Sequence, residues 1–228
     1  MDYDEIIKKL KSLQDPKNVE GMARFGINPE KTLGVSVPNI RKIAKQAGKD
    51  HALAEKLWSS GIHEARILAS MVDEPEKVTK KQVNAWTGEF DSWDVCDQCC
   101  MNLFDKLPFA FEKAIEFTKR EREFEKRAGF ALMACLAVHD KVAGDEKFTA
   151  FFPRMKLQAT DERNYVKKAV NWSLRQVGKR NLNLNKAAIK IALEIQKIES
   201  KSAKWIANDA IRELESEAVK KRLNIKKH

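Results

Sequence analysis

A tryptophan and an aspartate four residues apart are the residues of this chain best placed to do chemistry. They are Trp93 and Asp97, within Asp91-Ser92-Trp93-Asp94-Val95-Cys96-Asp97-Gln98-Cys99-Cys100-Met101-Asn102-Leu103-Phe104. Capped by Asp91 or Ser92, the run predicts a helix on which Trp93 and Asp97 stand one above the other. Val95, Cys96, Cys99, Cys100 and Leu103 supply the apolar face that buries such a helix, so the core requires neither Trp93 nor Asp97. Asp94, directly after Trp93, points elsewhere on the helix. On this segment alone, a core tryptophan beside a solvated aspartate is the simpler account.

The neighbouring thiols suggest metal chemistry only weakly. Cys96-x-x-Cys99 has a zinc-like spacing, but no second Cys or His pair lies at ligand distance and the four histidines are scattered, so these read as small buried residues. Three of the four cysteines sit on one helix and cannot spread as staples, which points away from a disulfide framework and towards a reducing cytosol. No apolar run approaches the length of a membrane span, and the start Met1-Asp2-Tyr3-Asp4-Glu5 is acidic, so neither a span nor a secretory signal is expected.

The elements that must position Trp93 and Asp97 read as helix after helix. Prolines at 16, 29, 38, 75, 108 and 153 fall between apolar-periodic segments, and no segment alternates with a period of two. Helices are expected at about 2–13, 16–24, 37–47, 50–59, 63–73, 79–89, 92–106, 108–119, 123–138, 145–157, 161–178, 183–198 and 200–222. Thr79-Lys80-Lys81-Gln82 has the capping-box pattern, and Gly48, Gly61 and Gly178 sit where helices should end.

A repeat underlies the string. The segments beginning His63-Glu64-Ala65-Arg66, Lys126-Arg127-Ala128, Lys167-Lys168-Ala169 and Asn208-Asp209-Ala210 overlay. Arg66, Asp97, Arg127, Lys168 and Asp209 then share one register at separations of 31, 30, 41 and 41 residues. That period describes stacked helical pairs of the HEAT or armadillo sort. The expected fold is all-α, a right-handed α-solenoid of HEAT-like pairs forming one domain over 1–228, with 1–48 as a less regular cap. Its second helices would line a concave wall carrying Asp97, Arg127 and Lys168. A formal charge of +10 and a pI of about 9.4 suit a polyanion partner, although solubility alone can account for such an excess. On that wall Trp93 and Trp172 could meet near Arg127 and Arg175, with cations for phosphates and indole faces for cations and flat rings.

At this point the chain resembles the AlkD-type DNA glycosylases, a family built from HEAT-like repeats. The resemblance rests on Met22-Ala23-Arg24-Phe25, Gly34-Val35-Ser36-Val37-Pro38-Asn39-Ile40-Arg41, Ser92-Trp93-Asp94-Val95-Cys96-Asp97, Lys126-Arg127-Ala128 and Lys168-Ala169-Val170-Asn171-Trp172-Ser173-Leu174-Arg175, and it runs through most of the chain. It implies hydrolysis of the N-glycosidic bond of cationic alkylated purines, 3-methyladenine and 7-methylguanine types, in duplex DNA without base flipping. It places the catalytic aspartate at Asp97, the two active-site tryptophans at Trp93 and Trp172 and an active-site arginine at Arg127. Arg175, Lys168, Phe25, Arg41 and Arg66 are the expected DNA-binding residues. Phe25 stands where better-known members carry a tyrosine, and the segment from Phe25 to Gly34 departs from theirs. A cationic purine leaves neutral, so an ionised Asp97 would stabilise the sugar cation and orient water, and no metal or organic cofactor is called for.

The expected partner is double-stranded DNA containing alkylated bases, bound by a monomer in the cytoplasm and away from membranes. The rival readings are a HEAT-like protein that binds branched or damaged DNA without excision, and a protein-binding adaptor. His139 reads as a helix-end residue and Trp58, Trp86 and Trp205 as packing. The basic groups Lys220-Lys221-Arg222 and Lys226-Lys227-His228 read equally as a solvated tail or as DNA contacts.

Overall fold

Side chains that accept hydrogen bonds from first-turn amides start many of the helices. Asp2, Asp15, Asp50, Thr79, Asn181 and Ser200 each cap in this way, and Pro16, Pro38 and Pro153 occupy first-turn positions where a missing N–H costs nothing. The computed structural model describes residues 1–225, which are helical with no strand among them and fall into two compact units, Met1–Leu107 and Pro108 onwards.

The first unit holds α1 (Tyr3–Ser12), α2 (Pro16–Arg24), α3 (Val37–Ala47), α4 (His51–Ser59), α5 (His63–Val72), α6 (Lys80–Gly88) and α7 (Trp93–Asn102), followed by a 3-10 turn at Phe104–Lys106. Helix α5 is central, packing on α3, α4 and α7. Trp58 of α4 stacks on Trp86 of α6 with ring centroids 4.1 Å apart, and Phe90 meets Trp58 edge-on, so the packing assigned to Trp58 and Trp86 is what they do.

The second unit holds α8 (Ala110–Phe117), α9 (Glu123–His139), α10 (Asp145–Thr149), α11 (Phe152–Gln158), α12 (Asn164–Gly178), α13 (Leu182–Gln196), α14 (Lys201–Leu214) and α15 (Glu217–Ile225). Helix α9 is buried on all sides from Lys126 to Ala137, because α8 and α12 both pack on it, and α12 in turn packs on α13 and α14. Gly129 makes the α8 contact possible: a Cβ there would lie 2.6 Å from the Thr118 amide nitrogen. Gly178 does the same for α12, where a Cβ would meet Leu214 at 2.7 Å. The shared-register residues fall on α5, α7, α9, α12 and α14, and within each unit these helices stack on one another, as the later members of helical pairs do in a repeat protein.

Several helix bounds differ from expectation, among them the start of α12, at Asn164 and not at 161. The helix expected at 145–157 is two helices, since Pro153 cannot donate to the carbonyl of Thr149 and α10 stops at that residue. The helix expected at 200–222 breaks after Leu214, where the Ser216 hydroxyl donates to the Glu213 carbonyl at 2.7 Å and accepts from the Val219 amide at 3.4 Å. Helix α7 ends at Asn102, with Leu103 leaving helical geometry before the 3-10 turn. The capping box at Thr79 is half formed: Thr79 accepts from the Gln82 amide, but the Gln82 side chain reaches Asp73 at 2.6 Å instead of returning to the cap. Gly48 and Gly61 end their helices at positive φ, and His139 is the last residue of α9.

Candidate functional site

The start of α7 is fastened from outside. Ser92 is the buried N-cap, yet its hydroxyl accepts from the Asn28 backbone amide at 3.0 Å instead of capping its own helix. The Asn28 side-chain amide donates to Asp91 at 3.0 Å, and the Trp93 indole N–H donates to the Phe25 carbonyl at 3.1 Å. These bonds dock the segment after α2 onto α7 while leaving the Phe25 ring 74% exposed. Val95, Cys96, Cys99, Cys100 and Leu103 are at most 1% exposed, whereas Trp93 and Asp97 are both half-buried on the other face. Burial pushes the Cys99 thiol well up, the mark of a packing cysteine and not of a reactive one.

The first turn of α5 braces the same place. His63 Nε2 lies 2.8 Å from Asp94 Oδ2, so Asp94, which points elsewhere on the helix than Trp93, anchors α7 to α5. Helix α5 packs on α7, and position 94 faces it. Glu64, fully buried, accepts from the backbone amides of Leu33, Gly34 and Val35 at 2.6–3.1 Å, and the His63 amide donates to the Lys31 carbonyl at 3.1 Å. A buried carboxylate is thereby satisfied by three otherwise orphaned donors. Gly34 is obligatory in this cradle, having φ of +81° and a Cβ position only 2.2 Å from the Asp15 carbonyl oxygen. Sequence reasoning missed His63, Glu64 and Asn28 as supports. The one available signal was that His63-Glu64 opens the repeat segment in which Arg66 was noticed.

The His63–Asp94 couple carries a pH dependence. Burial disfavours charge on His63, but the hydrogen bond to Asp94 and its negative field prevail and raise the imidazole above its ordinary value. A raised histidine adds stability that is complete below its unfolded pKa of about 6.5 and lost as pH climbs through the folded value. Thermal melts of wild type and His63→Gln should therefore differ most at mildly acidic pH and converge at alkaline pH. A gap that widens with rising pH would contradict the pairing.

The remaining cations of the first unit differ in availability. Arg66 of α5 is paired with Glu89, donating to its carboxylate at 2.5 Å and to its carbonyl at 3.2 Å, and its guanidinium lies 5.0 Å from the Trp58 ring centroid. Arg41 is exposed on α3.

In the second unit Arg127 of α9 is only 6% exposed and donates to the Tyr165 carbonyl in the first turn of α12 at 2.7 Å. Lys168, its counterpart on α12, is exposed, and Trp172 one turn later is half-buried. Arg175 is engaged by acids of α14, hydrogen-bonded to Glu213 and 3.6 Å from Asp209, and Lys179 also bonds Glu213. Burial works against charge on Glu213, but these two cations hold its carboxyl below the usual range. Trp205, expected to pack, is 42% exposed on α14, where Ala203, Ile206, Ala207 and Ala210 take the core side and Lys167 Nζ lies 5.2 Å from its ring centroid. Lys220, Lys221 and Arg222 lie on α15, whereas Lys226, Lys227 and His228 lie outside the described residues.

Comparison with known proteins places the fold and the family. The chain is similar to an uncharacterised protein of Listeria innocua serovar 6a, 22% identical over 200 residues that cover 86% of this chain and 87% of that one. It is also similar to a solved structure from a family described as new, related to the HEAT-like repeat DNA glycosylases and with affinity for branched DNA structures. That match has 20% identity, a TM-score of 0.79 and coverage of 93% of this chain and 95% of the other. The likeness shows an all-α HEAT-like repeat fold, as the repeat in the sequence led us to expect. The family model for DNA alkylation repair enzymes matches residues 6–214, and the chain belongs to that family.

Proposed function

We propose that the protein is a DNA repair glycosylase that hydrolyses the N-glycosidic bond of cationic alkylated purines, of the 3-methyladenine and 7-methylguanine type, in double-stranded DNA. The observation that carries this reading is the pair Trp93 and Asp97, one turn apart and both partly open, on a helix whose buried face is supplied entirely by other residues. The purine already bears positive charge and departs neutral, so the protein has no proton to deliver. Charge moves onto the deoxyribose as the bond breaks, and an ionised Asp97 stabilises that centre and orients water. Trp93 and Trp172 offer their faces to sugar and backbone, Arg127 contributes a fixed positive charge, and Lys168, Arg41 and the Phe25 ring contact DNA. Membership in the DNA alkylation repair enzyme family supports the substrate class.

A second reading, binding of branched DNA without excision, is favoured by the affinity described for the similar structure and by Phe25, which lacks the hydroxyl of better-known relatives. Incubation with duplex DNA containing 7-methylguanine, followed by detection of free base, separates the two. Trp172→Ala should lower excision while leaving the melting temperature within a few degrees, because the indole is only half-buried. A core tryptophan would instead cost roughly 3–5 kcal/mol, and a drop of that size would contradict the assignment.

A further inference from the structure

The second unit contains a cavity of about 210 Å³ between the ends of α9 and α12 and one face of α15. Its charged lining consists of Lys141, Lys179, Arg180 and Arg222, with no carboxylate among the lining residues, and Gln176 and Asn181 complete its polar wall. Four cations converge on a space that no carboxylate lines, the nearby acids being Glu213, bonded to Lys179, and Asp140, in the field of Arg180, so their mutual repulsion is offset only in part.

Part of the arrangement has a local explanation. Arg180 donates to the carbonyls of Ala137, Asp140 and Ala143, and Lys141 donates to the carbonyl of Val138, so both cap the C-terminal end of α9, where cations are favoured. Backbone carbonyls hold these side chains in place but do not cancel their charge. The Arg180 guanidinium is held further by the Phe148 ring, 4.1 Å from its centroid, so an incoming anion meets a group whose rotamer is already fixed. Lys179 shares Glu213 with Arg175, which Asp209 also engages, so the charge of Lys179 is largely offset and Lys141, Arg180 and Arg222 carry most of the positive field. Arg222 reaches the same cavity from α15, and helix-end capping of α9 does not account for it. A single water needs only about 10–15 Å³, so the cavity has room for a tetrahedral oxyanion with water beside it.

We propose that this cavity is a phosphate-binding site, seating a phosphoryl group between Arg180 and the ammonium and guanidinium groups of Lys141, Lys179 and Arg222. The guanidinium fork recognises paired oxygens, while the lysines act as point charges. Two sources offer the same chemistry: a backbone phosphate of DNA, which would make the site an additional anchor on nucleic acid, and free inorganic phosphate or pyrophosphate. The DNA source rests on the functional reading above; the free-anion source does not.

The test uses the full-length double variant Lys141→Gln/Arg222→Gln, which removes two exposed charges and, losing only the Lys141 cap on α9, should melt within a few degrees of wild type. Binding to undamaged duplex DNA is measured across a salt series, and inorganic phosphate and pyrophosphate are titrated calorimetrically in separate runs. If the site holds a backbone phosphate, the double variant should lower the log-log salt slope by about 0.9 for the phosphate lost, with the rate of excision from saturated complex unchanged. If it holds a free anion, wild type should show saturable phosphate or pyrophosphate heat that the variant lacks, at an unchanged DNA slope. Equal slopes together with no difference in anion binding would overturn the site. Should wild type bind no DNA at all, the functional reading fails and the anion titration alone decides this one.

Discussion

Asp97→Asn is expected to slow single-turnover release of 7-methylguanine by about 10²- to 10³-fold, the usual loss when one well-aimed electrostatic contact to a transition state disappears. The substitution keeps size and shape and removes only the charge. Asp97 is half-buried on the face of α7 opposite the cysteines, and Asn keeps its packing and an acceptor oxygen, so the melting temperature should stay within a few degrees. Affinity for duplex DNA should stay the same or rise slightly, since a carboxylate near phosphates repels them. Asp97→Glu, which restores the charge on a longer arm, should recover part of the rate. Asp94 cannot serve as the inert comparison that its place next to Trp93 first suggests, because it holds His63. Equal rates for Asp97→Asn and wild type would remove the catalytic assignment.

Glu64→Ala is expected to have the largest effect on stability. Three backbone amides of the Leu33–Val35 cradle depend on this one carboxylate inside the protein, and each buried donor left unpaired costs about 1–3 kcal/mol. The total should exceed about 3 kcal/mol, which for a chain of this length means a melting temperature lower by more than about 6 °C. The loss should spread to function, since the same segment carries the Phe25 carbonyl that receives the Trp93 indole N–H. Glu64→Gln retains one acceptor oxygen but turns an NH₂ towards the amides, so it should fall between wild type and Glu64→Ala. A Glu64→Ala protein that melts with wild type would show that the cradle contributes little to holding the unit together.

What the sequence revealed about this molecule depended on distance along the chain. The split of α7 into a buried cysteine face and an open Trp93–Asp97 face was legible because helical spacing is a local rule, and α2 and α3 fall at the expected bounds for the same reason. The break before Pro153 was legible, since the missing N–H acts four residues upstream and each proline reads as a boundary, although the helix expected at 145–157 crosses it. The His63–Asp94 bond joins residues 31 apart and the Glu64 cradle joins residues about 30 apart, so neither exists until α5 packs on its neighbours. Charge alone could not show that Arg127 is buried against a carbonyl while Lys168, in the same register, is exposed. Nor could it show that Arg66 and Arg175 are already paired with acids, which leaves Lys168 and Arg41 as the more accessible of the expected DNA contacts.

Base release and DNA affinity, measured with the same wild-type preparation, separate excision from binding alone. Duplex DNA bearing a single 7-methylguanine is incubated with excess protein, free base is followed over time, and binding to undamaged duplex and to a four-way junction is measured in parallel. Release of 7-methylguanine is expected well above the spontaneous rate, abolished or nearly so by Asp97→Asn while wild type and variant bind duplex alike. Release no faster than in buffer, from protein that binds the junction more tightly than the duplex, would contradict it and leave a binder of branched DNA.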